Sequence, residues 1–314
     1  MTSCWIVTEG MAGTENQCLG VAEALGVIPV VKRVGLRQPW KALCPYLGLE
    51  QSFTFSGDRL LAPWPDLLIS SGRKAIAAAR YIHRKSDGKT FIVHIQDPRI
   101  HSDIFDIVAV PAHDKMRAAN VIVTQATPNR ITPQRLTEGR QDFSDLLRGV
   151  PGPRVAVLLG GNSKSHKLTP DAMKKLAGQL RELDRLGFGL MITASRRTGE
   201  ENLSLLRNEM KDSKAFLWDG RGDNPYFGFL GWADYILATA DSASMISEAA
   251  TTGKPVYVIP LAGGSAKFDR FYENLTTCGA IRPFEGQLQP YIYNPLQDAG
   301  LIADEIRRKM GNAG

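Results

Sequence analysis

Residues Ala233 to Val256 run as a short apolar stretch, a turn of small polar residues, a helix, a glycine stop at Gly253 and a second apolar stretch. The turn carries Asp241, Ser242 and Ser244. A helix opening there offers free backbone N–H groups and about half a unit of positive charge to a phosphate. Ser244 and Glu248 are four apart and share a helix face, so a diphosphate at the tip leaves Glu248 beside a ribose, whose hydroxyls a carboxylate accepts. The alternative is a capping serine and a solvated glutamate. Ser195, Arg196 and Arg197 follow another apolar stretch, and arginine suits bidentate phosphate contact; two solvated arginines on a surface loop are the plain alternative.

The N-terminal half has its own loop of this kind, Glu9 to Gln17. Gly10 and Gly13 permit close backbone approach and Thr14 is expected to cap the following helix. Gly13, Thr14, Asn16 and Gln17 are therefore expected to face an acceptor or the donor phosphates, unless the segment is a tight turn alone. Transfer to a hydroxyl needs a base, and Glu15, Asp97, His113 and Asp114 are the candidates. Asp97 and the His113–Asp114 pair lie just after apolar stretches. His94 sits inside one and reads as a hydrogen-bonded core residue.

Several chemistries find no support. Gly253-Lys254 is followed by Pro255 and lacks the glycine spacing of a Walker A loop. No D-x-D pair and no H-E-x-x-H helix occurs, so no metal is expected and a leaving diphosphate would be stabilised by the helix tip and basic residues. No bound cofactor is expected. Cys4, Cys18, Cys44 and Cys278 lack paired spacing and read as reduced thiols.

The elements that must position these residues alternate along the chain. Strands are expected at Cys4 to Thr8, Val30 to Val34, Asp66 to Ser70, Phe91 to Ile95, Ile107 to Val110 and Val121 to Thr124, then at Arg154 to Leu159, Gly189 to Thr193, Ala215 to Leu217, Tyr235 to Ala238 and Val256 to Pro260. Helices are expected at Glu15 to Leu25, Trp40 to Tyr46 and Arg73 to Lys85, then at Pro170 to Leu186, Glu200 to Met210, Pro225 to Trp232 and Ser242 to Thr252. Thr169-Pro170 and Asn224-Pro225 have the form of an N-cap followed by proline. This is the pattern of parallel strands joined by crossover helices. The Gly149 to Pro153 segment reads as a linker, dividing an N-terminal domain, 1–150, from a C-terminal one, 151–314. The expected fold is thus α/β, two Rossmann-like doubly wound domains facing each other across a cleft, with ligands beyond the carboxyl ends of the strands.

With 314 residues, 43% hydrophobic and 22% charged, the chain is an ordinary globular protein of two-domain size. Its net charge of +6 is spread over both halves. That suits phosphate ligands or an anionic membrane surface and does not form the clustered stripe of a nucleic-acid binder, so no nucleic-acid partner is expected. There is no basic segment ahead of a long apolar stretch, and no run of about 18 apolar residues. A cytoplasmic location is expected, with peripheral contact at the inner face of a membrane left open.

The Ala233 to Val256 segment resembles the nucleotide-sugar motif of glycosyltransferases with the GT-B architecture. Glu248, Gly253, Pro255 and Pro260 match the order of that motif. By the same resemblance, Gly160, Gly161 and Asn162, in the turn after the first C-terminal strand, and Lys267, after Pro260, fall where loops reach the donor. Over nearly its full length the chain resembles the elongated-mitochondria family, known for a plant mitochondrial-fission factor. The residues that carry this are Thr14-Glu15-Asn16-Gln17, His94 to Arg99, Val110 to Asp114, Gly160 to Ser163 and Ser195 to Thr198. The resemblance to GT-B enzymes implies a metal-independent glycosyltransferase using a nucleoside-diphosphate sugar, its acceptor unspecified, with the donor on the C-terminal domain and the acceptor on the N-terminal one. A sugar-nucleotide epimerase of the same architecture is the first alternative. A non-catalytic adaptor for a protein or membrane surface, as the fission factor implies, is the second.

Overall fold

The computed structural model describes residues 2–311. The chain divides into two compact units, Met1–Arg130 with Gln297–Gly314, and Ile131–Leu296.

The first unit is built on a seven-stranded sheet of order β3-β2-β1-β4-β5-β6-β7. Its strands are β1 (Cys4–Thr8), β2 (Val30–Leu36), β3 (Phe55–Gly57), β4 (Leu67–Ser71), β5 (Phe91–Ile95), β6 (Ile107–Pro111) and β7 (Val121–Thr124). All pair in parallel except β3, an antiparallel edge strand on β2. Side chains alternate across the sheet with period two. Cys4, Ile6, Leu67, Ile69, Val93 and Ile95 enter one core, and Val7, Leu68, Ile92 and Val108 enter the other. The helices are α1 (Ala12–Leu25), α2 (Trp40–Leu43) and α3 (Ala75–Lys85).

The second unit begins with α4 (Pro133–Asp142) and α5 (Ser144–Leu147). Its six-stranded sheet has the order β11-β10-β8-β12-β13-β15 and is parallel throughout. The strands are β8 (Arg154–Leu159), β10 (Gly189–Ala194), β11 (Phe216–Leu217), β12 (Tyr235–Thr239), β13 (Val256–Ile259) and β15 (Ile281–Pro283). A separate antiparallel pair joins β9 (His166–Lys167) to β14 (Ala262–Gly263). The helices are α6 (Pro170–Arg185), α7 (Glu200–Glu209), α8 (Tyr226–Trp232), α9 (Ala243–Thr251) and α10 (Ala266–Thr277). After it the chain returns to the first unit as α11 (Asp298–Gly311), which buries Ile302 and Ile306 in the core that also holds Cys18 and Val21 of α1.

The expected division after residue 150 therefore lies inside the second unit. Close packing is the reason: a Cβ at Gly139 of α4 would lie 2.7 Å from the Phe227 backbone, and one at Gly231 of α8 would lie 2.4 Å from the Leu136 carbonyl oxygen. Glycine on each helix thus admits the other. Local expectations differ in two further places. Thr14 lies inside the first turn of α1, donating from Oγ1 to the Met11 carbonyl, so it does not cap the helix. At α8 the cap position is Pro225, with Asn224 Oδ1 accepting from the Tyr226 N–H.

Candidate functional site

In the second sheet the chain leaves β8 for β10 on one side and later places β12 on the other. That reversal is a topological switch point, where the loops after neighbouring strands splay apart and leave room for a ligand. The loops after β10, β8, β12 and β13, with the first turns of the helices that follow β12 and β13, carry Ser195–Arg197, Gly160–Asn162, Asp241–Ser244 and Lys267. Because those strands are parallel neighbours, the residues expected to hold a nucleotide all issue from one sheet edge.

Asp241 organises this edge from below. Its carboxylate accepts from Thr239 Oγ1 at 2.6 Å on one oxygen and from Arg197 Nη2 at 2.6 Å on the other, with no side-chain exposure. Thr239 Oγ1 in turn accepts from the Gly160 N–H at 2.7 Å. A Cβ at Gly160 would meet Asp241 Oδ1 at 2.1 Å, and one at Gly161 would meet the Arg197 carbonyl oxygen at the same distance. The glycines are there to let three loops touch. Arg197 is thereby engaged with protein, while its exposed neighbour Arg196 stands at the loop surface. Ser195 Oγ accepts from the Arg197 N–H at 3.2 Å and fixes the start of this turn.

Helix α9 opens with Ser242 as its N-cap, whose Oγ accepts from the Met245 N–H at 3.4 Å, and has no acidic residue in its first turn. Ser244 is half-buried there. One turn on, Glu248 Oε2 accepts from the Tyr226 hydroxyl of α8 at 2.5 Å. Burial raises the Glu248 carboxyl to about 7, partly opposed by this hydrogen bond. Burial and the facing carboxylate hold the Tyr226 phenol well above its ordinary range. Glu248 is thus a clamped acceptor that titrates near neutrality. Tyr226, Thr239 and Tyr272, whose hydroxyl donates to the Ala240 carbonyl, are site residues the sequence reading missed. Tyr226 lies 22 residues from Glu248 on another helix, and no local pattern links the two.

The β9–β14 pair ties the loop after β8 to the loop after β13, with the Gly264 N–H donating to the Ser165 carbonyl at 2.7 Å. Asn162 Oδ1 accepts from the Leu168 N–H across its own loop. Lys267 is exposed in the first turn of α10.

The first unit carries a matching switch point between β1 and β4. There Glu9 accepts from Lys74 Nζ at 2.5 Å and from the Lys74 N–H at 3.3 Å, just ahead of α3. Sequence reading passed over this pair. Glu15, in the first turn of α1, is held by two hydrogen bonds from Arg33, which keep its carboxyl below the usual range. Gln17 is buried, its Oε1 accepting from Ser71 Oγ and Gln96 Nε2. Gly13 and Asn16 are half-buried in the first turns of α1. Asp97 accepts from the Arg99 N–H after β5, and His113 and Asp114 are buried after β6. His94 is a core residue, as expected: its Nδ1 meets Ser70 Oγ at 2.9 Å and burial lowers it to about 3. Among the described residues no three His, Cys, Asp or Glu side chains gather in a metal-binding arrangement, and no helix is long and apolar enough to cross a membrane.

Residues 12–310 match the family described as Mitochondrial fission ELM1. The mitochondrial fission protein ELM1 of Arabidopsis thaliana is 31% identical over 277 residues, a match covering 80% of this chain and 65% of that protein. Among solved structures, UDP-GlcNAc 2-epimerase from Methanocaldococcus jannaschii superposes with a TM-score of 0.57 at 12% identity, over 99% of both chains. A complex of that enzyme with UDP-GlcNAc and UDP gives 0.54 at 13% identity, again over 99% of both chains. At this identity the likeness concerns the fold, which is of the GT-B type.

Proposed function

The chain belongs to the Mitochondrial fission ELM1 family, and we propose that it is a metal-independent glycosyltransferase whose second unit binds a nucleoside-diphosphate sugar. The observation that carries this reading is the α9 tip, capped by Ser242 and with no acid in its first turn, with Glu248 held by Tyr226 one turn behind it. The diphosphate lies on the N–H groups of Ser242 to Ser244, and Glu248 accepts from the ribose hydroxyls. Arg196 and Lys267 supply further positive charge. Attack of an acceptor hydroxyl on the anomeric carbon releases the nucleoside diphosphate, whose growing charge the helix tip stabilises. Asp97, His113 and Asp114 are the acid–base groups proposed for the first unit, which takes the acceptor.

Epimerisation of a sugar nucleotide is the second reading, favoured by the names of the enzymes that share the fold. An adaptor without catalysis is the reading favoured by the family description. Calorimetry with UDP, in the presence of EDTA, separates the enzymes from the adaptor. Binding to the wild type is expected, weakened about tenfold or more in Glu248→Ala, the value of one charged hydrogen bond. Equal affinity in both proteins removes Glu248 from the site, and no binding at all leaves the adaptor. Product analysis with UDP-GlcNAc then distinguishes transfer from epimerisation.

A further inference from the structure

Two of the stretches that carry the family resemblance, Thr14–Gln17 and His94–Arg99, meet in the first unit. Gln17 Oε1 accepts from Gln96 Nε2 at 2.9 Å, across 79 residues of chain, and from Ser71 Oγ at 3.1 Å. Gln17 comes from α1, and the other two from the carboxyl ends of β4 and β5, where Ser71 pairs with Ile95. Gln17 is only 4% exposed. Both its hydrogen bonds go to the oxygen, and its two N–H donors meet no acceptor among the described residues. A buried amide used at one end only costs free energy that a ligand recovers. Turning the amide over exchanges donors for acceptor and leaves the same end open.

Gln96 is held at a φ of 83°, one of four non-glycine positions in the left-handed region among the described residues. Its own N–H is fixed by the Ala109 carbonyl at 2.8 Å. Such backbone costs free energy and is kept where a function needs it; here it sets the Gln96 amide against Gln17. A Cβ at Gly72, beside Ser71, would lie 3.6 Å from the Thr14 methyl and 3.9 Å from Glu9 Oε1, so Thr14 and Glu9 stand next to the network. Charge decides what fits. Glu9 accepts from the Lys74 N–H ahead of α3 and Glu15 lies in the first turn of α1, so both helix tips already hold an anion. Lys74 and Arg33 are paired with these two carboxylates. An amide beside hydroxyl and carboxylate groups suits a hydroxyl, which donates and accepts at once and satisfies the open end of Gln17 in either orientation. Arg73, exposed between Gly72 and Lys74, is the cation that a phosphorylated ligand would use.

We propose that this network binds an uncharged polyhydroxylated ligand, a sugar, as the acceptor. The proposal rests on the reading that the first unit takes the acceptor, and gives that acceptor a chemical class. The test is saturation-transfer-difference NMR of the full chain with d-glucose, d-galactose, d-mannose and N-acetylglucosamine. At least one is expected to bind, and its 6-phosphate more weakly. Gln17→Met keeps the length of the side chain, removes the amide, and is expected to weaken binding about threefold to tenfold. Gln96→Gly removes the second amide at a residue type that accepts a positive φ. It is expected to weaken binding likewise, with a thermal unfolding midpoint no lower than that of the wild type. A merely structural network would do the opposite, losing stability without touching sugar binding. Circular dichroism checks that each variant is folded. The proposal is overturned if none of the sugars binds, if either variant binds undiminished, or if the 6-phosphate binds more tightly. Calorimetry of the wild type with UDP is a separate arm: sugar binding without UDP binding removes the transferase reading and keeps this site, and UDP binding without sugar binding does the reverse.

Discussion

At the amino ends of α1 and α3 the first unit sets its own carboxylates, Glu15 in the first turn and Glu9 against the Lys74 N–H, whereas α9 of the second unit opens on Ser242, Ala243 and Ser244 with no acid in its first turn. Both sheets have a Rossmann-like switch point, so topology alone offers two phosphate sites. Charge separates them. A carboxylate at a helix tip takes the place a phosphate would occupy and repels a second anion. In the second unit the one carboxylate of the turn, Asp241, is drawn beneath the sheet edge and neutralised by Arg197. On charge, the second unit is the better place for the nucleotide proposed above.

The largest effect is expected from adding one methyl group to each switch point. Gly160→Ala puts a carbon 2.1 Å from an Asp241 oxygen, and relieving that clash takes the buried Asp241 carboxylate away from Thr239 and the half-exposed Arg197. A loss of about 3–5 kcal/mol in urea denaturation is expected. Gly72→Ala, in the first unit, meets nothing closer than 3.6 Å and suffers only from its φ of 91°, so about 1–2 kcal/mol is expected. Equal losses would show that the second switch point is no more tightly built than the first.

Next comes the pH dependence of Glu248. Its folded carboxyl sits at about 7, above the ordinary glutamate value near ~4.3. The folded state therefore holds the proton more tightly, and the stability this contributes is present below ~4.3 and lost as pH rises through about 7. Relative to Glu248→Gln, the wild type should lose at most about 3 kcal/mol between about pH 5 and about pH 8. Two parallel pH profiles would place the carboxyl in water. Nucleotide affinity should change oppositely, rising over the same interval as the ionised acceptor forms.

A smaller contrast lies between adjacent arginines. Arg197→Gln leaves the buried Asp241 carboxylate with Thr239 alone, and about 2 kcal/mol of stability should go. Arg196→Gln should cost less than about 0.5 kcal/mol in stability and act on diphosphate binding, weakening UDP more than uridine. The reverse ranking would exchange their roles. Smallest of all is the response of the first unit to nucleotide: one UDP per chain is expected in calorimetry, and a second equivalent of similar affinity would break the comparison.

Much of the architecture was legible because parallel strands buried on both faces read as apolar runs. Phe91–Ile95, Val121–Thr124 and Arg154–Leu159 have the same bounds in sequence and structure. Strand β3 was not legible, since Phe55-Ser56-Gly57 has neither length nor an apolar run and is ordered by pairing with β2. The domain division was missed for a related reason. Gly149 to Pro153 has the composition of a linker, but Arg154 Nε donates to the Val150 carbonyl and Gly189 packs on Pro151, so the segment is an internal turn of the second unit. At the candidate site, the shared helix face of Ser244 and Glu248 could be read from spacing. The partners of Glu248 and Arg197 stand 22 and 44 residues away, and only folding joins them.

The path of the chain also sets an order of assembly. Asp298, at the start of α11, accepts from the Gln125 and Ala126 N–H groups, and Ile302 and Ile306 fill the core beside α1. The piece that completes the first unit is thus translated after the whole of the second. On a ribosome that delivers roughly 5–20 residues per second, one face of the first sheet has α1 but lacks α11 while Ile131–Leu296 is made. The second unit is uninterrupted in sequence, whereas the first cannot be completed until the C-terminal helix has been made.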